Sequence, residues 1–275
     1  MDVLTTKVAQ FKASIMTLLA ETGGARLIPF CDSELNSVGE TYTFNRLDES
    51  NTQNSLDMFD AGFTGNGGDT SKVVVTTDFI YSADWITEKS LKQTNVDLKS
   101  AYAKSFKRAI DRAIDDVIVK AITDNDANLT KAGDVSKTLK ENFDVLVQKV
   151  AYTMALVDDN DDHGNNVALI MNRVDFAELF TIDKFINADY NKGLGISSKT
   201  NLAGAIIIPT DSVPKGTQYI MPRMTVCFTQ WKGGNKANMD WESGKDEYKA
   251  WARTSAGAKL GNLDATSITK ISNLV

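Results

Sequence analysis

From Leu98 onward the apolar positions fall on every fourth residue: Leu98, Tyr102, Phe106, Ile110, Ile114, Ile118 and Ile122. Ala109, Ala113, Val117 and Ala121 stand one place before the last four and widen the stripe. A strand would alternate at every second residue, so this spacing predicts one long helix over 95–122. A step of four overshoots the 3.6 residues of a turn, so the stripe drifts around the axis and can meet more than one partner element. Thr94, with Asp97 three residues on, reads as a capping box at its start. At 1.5 Å per residue such a rod is ~40 Å long, where an average globular helix has only about 11–12 residues. Lys99, Lys104, Lys107, Arg108, Asp111, Arg112, Asp115 and Asp116 occupy the other faces. Arg112 can pair with Asp116 four residues on, a surface contact of only ~0.2–0.5 kcal/mol.

Before the rod, Val8, Phe11, Ile15, Leu18 and Leu19 predict an amphipathic helix over 5–20, stopped by Gly23 and Gly24. Leu27–Phe30, with Pro29, reads as an extended arm. Glu40–Arg46 alternates, Tyr42 and Phe44 on one side, and predicts a half-exposed strand; Val73–Val75 restores strand character after the polar, glycine-rich stretch 47–72. A structureless loop of that length is unusual inside a compact domain, so the pair reads as a hairpin whose tip projects. Phe79–Ser90 reads as a short helical or bent lead into the rod.

After the rod, Thr138 and Glu141 mark a helix cap, followed by the stripe Leu139, Phe143, Leu146, Val147, Val150 and Met154. Val167–Met171 is a buried strand, 172–180 a short helix and 187–203 a loop. Strands follow at Ala205–Ile208, Gln218–Ile220 and Met224–Phe228, with a turn at Ser212–Gly216 and a polar loop at Trp231–Met239. Tyr248–Arg253 alternates, Ala256–Leu260 holds a turn and Ser267–Ile271 closes a sheet. The order is α+β, with no internal repeat or interdomain linker.

Composition narrows the function classes. The chain of 275 residues can bury a substantial core, and its 42% hydrophobic and 24% charged content is ordinary for a globular protein. A net charge of -6 argues against a surface that embraces nucleic acid throughout, while leaving room for a local basic patch. Cys31 and Cys227 lie far apart among apolar neighbours and read as buried thiols. The N-terminus reads as an amphipathic helix rather than a signal peptide, and no stretch reaches 18 consecutive apolar residues.

Catalytic chemistry finds little support. The only histidine, His163, lies in DDNDDHG, away from both cysteines, so a zinc set is missing. Asp158, Asp159, Asp161 and Asp162 lack the twelve-residue calcium-loop pattern, and a solvated loop is the simpler reading. Gly62, Gly65, Gly67 and Gly68 precede a strand instead of opening a helix, which fits a loop tip better than a phosphate cradle. No GxSxG elbow is present, and Asp84 with Glu88 reads as surface acids. No cofactor is expected. The best basic cluster is Lys99, Lys104, Lys107, Arg108 and Arg112, diluted by interleaved acids.

The order of an arm, a hairpin over Glu40–Val75, the lead-in and rod VVVTTDFIYSADWITEKSLKQTNVDLKSAYAKSFKRAIDRAIDDVIVKAI, then GAIIIPTDSVPKGTQYI and DEYKAWARTSAGAKL, resembles a tailed-bacteriophage major capsid protein of the HK97-like fold. The resemblance divides the chain into an arm (1–39), an extended hairpin loop (40–77), a peripheral domain with the spine helix (78–134), an axial domain (135–235) and a return to the peripheral domain (236–275). It implies a structural protein, not an enzyme. Such a protein assembles with itself into pentamers and hexamers around double-stranded DNA held without sequence specificity. A separate scaffolding protein, a portal and decoration proteins fit as further partners, with no membrane; assembly would take place in the bacterial cytoplasm.

Candidate contacts between copies are Tyr42, Phe44, Phe59, Phe63, Lys104, Arg108, Arg112 and Trp231. The rod's cations are expected to serve these contacts more than DNA. The alternatives are an encapsulin-like cage around a protein cargo and a soluble hydrolase or binding domain with a cryptic site.

Overall fold

The fourfold stripe forms helix α1, Leu98–Thr123, 26 residues long and therefore about 39 Å from end to end. The structure, a computed structural model, describes residues 25–47, 70–87, 98–156, 167–186, 201–245, 247–261 and 268–274, together with Ala13, Met16 and Thr17. The capping box at Thr94 and Asp97 lies outside the described residues. Phe106, Ile110, Ile114, Ile118 and Ile122 are buried, with Ala103 and Val119 beside them. Ala109 is exposed, so the stripe is widened only towards the C-terminal end, where Ala121 is buried. The surface ion pair on this helix is Lys107–Asp111 at 3.5 Å, while Asp116 accepts from the hydroxyl of Ser212 instead of pairing with Arg112.

The helix packs on a sheet built around one long strand. In chain order the strands are β1 (Asp32–Ser37), β2 (Thr41–Leu47), β3 (Thr70–Thr76), β4 (Asp78–Thr87), β5 (Thr130–Ala132), β6 (Val167–Met171), β7 (Asn201–Leu202), β8 (Ala205–Pro209), β9 (Thr217–Pro222), β10 (Val226–Trp231), β11 (Lys236–Glu242), β12 (Glu247–Leu260) and β13 (Thr269–Ser272). β12 pairs antiparallel with β4 over Glu247–Ala256, with β11 over Glu247–Arg253 and with β10 over Gly257–Leu260, and β1 lies parallel to β10. Tyr248, Ala250 and Ala252 on β12 and Ile86 on β4 join the rod's residues in one core. Alanines at 250 and 252 let the helix come close to the strand. Leu27, Ile28 and Phe30 from the arm enter the same core.

Four expectations are corrected here. Residues 79–87 are no helical lead: β4 pairs with β12 over ten positions, and its residues alternate, Ile80 and Ile86 towards the core and Phe79, Tyr81 and Trp85 away from it; residues 88–90 of the expected segment lie outside the described residues. That period of two was present in FIYSADWIT, but the neighbouring helix masked it. The turn expected at Ala256–Leu260 is continuous strand, because the small residues there answer a crossing chain rather than a bend. The polar loop after Trp231 ends at Asn235, where β11 begins. Leu27–Phe30 is a buried 3-10 turn over Ile28–Phe30, not an extended arm.

A second body surrounds helix α2, Leu139–Leu156. Its start is capped as expected: the Thr138 backbone N–H donates to the Glu141 carboxylate at 2.8 Å, and the Thr138 hydroxyl donates to the same oxygen at 3.0 Å. Leu139, Phe143, Leu146 and Val150 pack against a six-stranded sheet of order β5-β13-β9-β6-β8-β7. Every residue of β6 is buried, as its unbroken apolar run predicts. Two short helices, α3 (Arg173–Leu179) and α4 (Asp183–Ile186), complete the body; Asn172 caps α3 by accepting from the Val174 N–H at 2.9 Å. Within the stretch expected as loop, Asn201–Leu202 pairs with Ala205–Ile206 around a two-residue turn in which Ala203 and Gly204 both have positive φ. β10, expected with the axial segment, pairs with β12, and β13, expected with the terminal return, pairs with β9. The mixed α+β architecture is the one the sequence pattern implied.

Candidate subunit-contact surfaces

Three surfaces bring together residues the chain keeps far apart. The first is the hairpin of β2 and β3, paired from Thr41↔Thr76 to Leu47↔Thr70. Phe44, only 6% exposed, packs with Val73, Val75 and Cys227, while Tyr42 is half-buried and meets the Phe44 ring edge-on at 4.8 Å. Phe44 thus ties the hairpin's base to its own subunit. The hairpin's outer part, with Phe59 and Phe63, lies outside the described residues. Thr76 and Thr77 cross β12 at Gly257, where a Cβ would overlap the Thr76 carbonyl oxygen.

The second surface is the sheet face turned away from α1. In register across β4 and β12, Tyr81 stands opposite Arg253, Ala83 opposite Trp251 and Trp85 opposite Lys249. Tyr81 is 61% exposed. Lys245 lies 4.0 Å from the Trp85 ring centre, and Arg253 lies 4.5 Å from that of Phe79. Trp231, half-buried, approaches Phe79 at 5.8 Å, and the indole of Trp251 donates to Asp240 at 3.1 Å. Rings and cations in this density are the composition of protein–protein contact centres. Of these residues only Trp231 was anticipated. The alternation of β4 and β12 is the signal for the rest; that of Tyr248–Arg253 is legible in the sequence, while a helical reading of Phe79–Ser90 hides its partner strand.

The third surface is a cleft of about 550 Å³ where α1 meets the arm and the β8–β9 connection. It is lined by Arg108, Asp111, Arg112, Asp115 and Asp116 of the rod, Arg26 of the arm, and Arg173, Thr210, Asp211 and Ser212 of the second body. Arg108 and Arg112 are exposed, as is Lys104 one turn earlier. Asp115 accepts from the backbone N–H groups of Leu27 at 3.1 Å and Arg26 at 3.3 Å, which fastens the arm to the rod. Burial pushes its carboxyl up to about 6, against the opposing pull of those two N–H groups and of the Arg26 charge. Four separate segments build the cleft, so no local pattern could have revealed it.

The raised value has a sign. A carboxyl whose folded pKa lies above its unfolded value binds more protons in the folded state, so stability falls as pH rises between about 4 and about 6. Asp111 and Asp175, also raised by burial, add to the same slope. Wild type should therefore lose stability relative to Asp115→Asn as the pH rises through this window. Urea unfolding at pH 4 and pH 7 checks it; parallel pH profiles for the two proteins would contradict the assignment.

Elsewhere the chemistry is sparse. His163, its acidic neighbours, the glycines at 62–68 and Glu88 lie outside the described residues, and Asp84 accepts from the N–H of Trp85 at 2.8 Å. Among the described residues no group of three His, Cys, Asp or Glu side chains is disposed to hold a metal ion. No helix there is long and apolar enough to cross a membrane. Cys31 and Cys227 are buried and not joined in a disulfide; burial raises the Cys31 thiol far above its usual range.

A long rod on a sheet, a hairpin carried out from that sheet and a second body beside it define the HK97-like capsid fold. The chain belongs to the phage capsid protein family, whose sequence profile matches residues 3–259. Among solved structures, the capsid of the cyanophage P-SCSP1u is similar at 13% identity and a TM-score of 0.64, over 90% of this chain and 88% of that one. The capsid of an empty GTA particle is similar at 11% identity and 0.66, over 92% and 91%. A virus-like particle from Pyrococcus furiosus is similar at 11% and 0.62, over 96% and 99%. No curated protein sequence matches. Its role is that of a structural capsid subunit.

Proposed function

We propose that copies of this chain close into pentamers and hexamers and that the resulting shell encloses double-stranded DNA without reading its sequence. The observation that carries this reading is the hairpin of β2 and β3, fixed at its base by Phe44, Val73 and Val75 and continuing into a polar stretch of more than twenty residues. A segment so anchored can reach a neighbour without costing its own subunit a core. Tyr42, Phe59, Phe63, Lys104 and Trp231 are the proposed contacts at and around it. The role is structural rather than catalytic, assembly takes place in the host cytoplasm, and a separate scaffolding protein, a portal and decoration proteins complete the particle.

Obligate contacts of this type bury ~2,000 Å² or more, so shells should survive dilution. The test is the content of purified particles after nuclease treatment. Long protected double-stranded DNA in particles from an infected host is the expected result. A folded protein cargo with no protected DNA would favour a cage of the encapsulin kind instead.

A further inference from the structure

The cleft between rod, arm and second body holds four carboxylates, and each has a donor. Asp111 pairs with Lys107 at 3.5 Å and Asp211 with Arg173 at 3.0 Å. Asp115 takes the two arm N–H groups, and Asp116 takes the Ser212 hydroxyl. The side chains of Arg26, Arg108 and Arg112 line the same cleft with no hydrogen-bond or ion-pair partner among the described residues. Once the two ion pairs are set aside, three guanidinium groups face two carboxylates, Asp115 and Asp116. The remaining charge is positive.

We propose that this cleft binds a phosphate group, held by Arg108 and Arg112 from one face of the rod and by Arg26 from the arm. The two rod arginines are four residues apart, one turn and ~6 Å along the axis, so both reach one side of a small anion. A carboxylate is filled by a single guanidinium fork, whereas a phosphate offers oxygens enough for several. The Thr210 hydroxyl, 2.9 Å from that of Ser212, donates to it, because Ser212 spends its own proton on Asp116, and so holds the wall of the cleft in place. The rod's charges were expected to meet another copy. A concavity lined entirely by one chain suits a compact anion better than a protein face.

Two sources share this chemistry: a free phosphate and the phosphodiester backbone of DNA. Only the second rests on the capsid reading. Calorimetric titration of the full-length protein with inorganic phosphate, and separately with a short DNA duplex, distinguishes them. Saturable phosphate binding is expected, at least tenfold weaker in the double variant Arg108→Ala, Arg112→Ala, and severalfold tighter in Asp116→Asn, which keeps an acceptor for the Ser212 hydroxyl and removes a competing negative charge. Opposite signs from two variants of one cleft would not arise from misfolding. Duplex that competes with free phosphate identifies the backbone as a source; duplex that binds without competing leaves the free anion as the source. No saturable phosphate binding, or binding unchanged in the double variant, overturns the proposal. Glutamate binding as tightly as phosphate also overturns it, in favour of an acidic protein segment. Shells that still close with normal shape in any of these cases leave the capsid reading intact.

Discussion

Gly257→Val should destabilise the subunit by about 3 kcal/mol and abolish closed shells. At this position the chain between β3 and β4 crosses β12 so closely that an added Cβ would overlap the Thr76 carbonyl oxygen and come within 3.1 Å of the Thr77 Cα. Both obstacles are backbone, so nothing can rotate aside. The crossing must lift, and with it the contact of Phe44, Val73 and Val75 with Cys227 that fixes the hairpin. Gly244 is the control: a Cβ there meets nothing within 4 Å, and Gly244→Val should keep both stability and shells. Denaturant midpoints together with particle yield check the pair. Equal yields from the two variants would mean that the hairpin's seat does not matter to assembly.

The second large effect is expected from Asn142→Leu, about 3 kcal/mol for donors and acceptors left without partners. Asn142, 1% exposed, donates to the Asp134 carbonyl at 2.8 Å and to the Asn273 side chain at 2.6 Å. Asn273 donates to Gln218 at 2.6 Å, and Gln218 to Asp175 at 2.9 Å, which also accepts from the Gly216 N–H. This buried chain of side chains binds helix α2, strand β9, helix α3 and the C-terminal segment into one unit. Leucine fills similar space but supplies no donor. A loss under 1 kcal/mol in urea unfolding, with an unchanged slope, would show that the network relaxes around the gap.

Sequence carried the rod, the capped helix α2 and the isolated apolar strands well, for physical reasons. The rod repeats its signal over six turns, the Thr138–Glu141 cap is local, and Val167–Met171 is buried on both faces. Strands such as β1, whose residues DSELNS have no apolar alternation, exist because β10 offers a partner, and partner-made structure leaves no mark in a local window. The small residues Ala256–Gly257 were misread for a related reason: they accommodate a crossing chain nearly two hundred residues away. Among the contact candidates, Phe44 packs inward, against Val73, Val75 and Cys227 of its own chain. Arg26 and Arg173 joined Arg108 and Arg112 only through the fold.

The most direct measurement is electron microscopy of the purified full-length protein, expressed with its scaffolding protein if one is required, combined with sedimentation. Closed icosahedral particles, in which each hairpin extends over a neighbouring copy, are the outcome this account requires. A species that stays monomeric at every salt and protein concentration, with the hairpin folded against its own sheet, would contradict it.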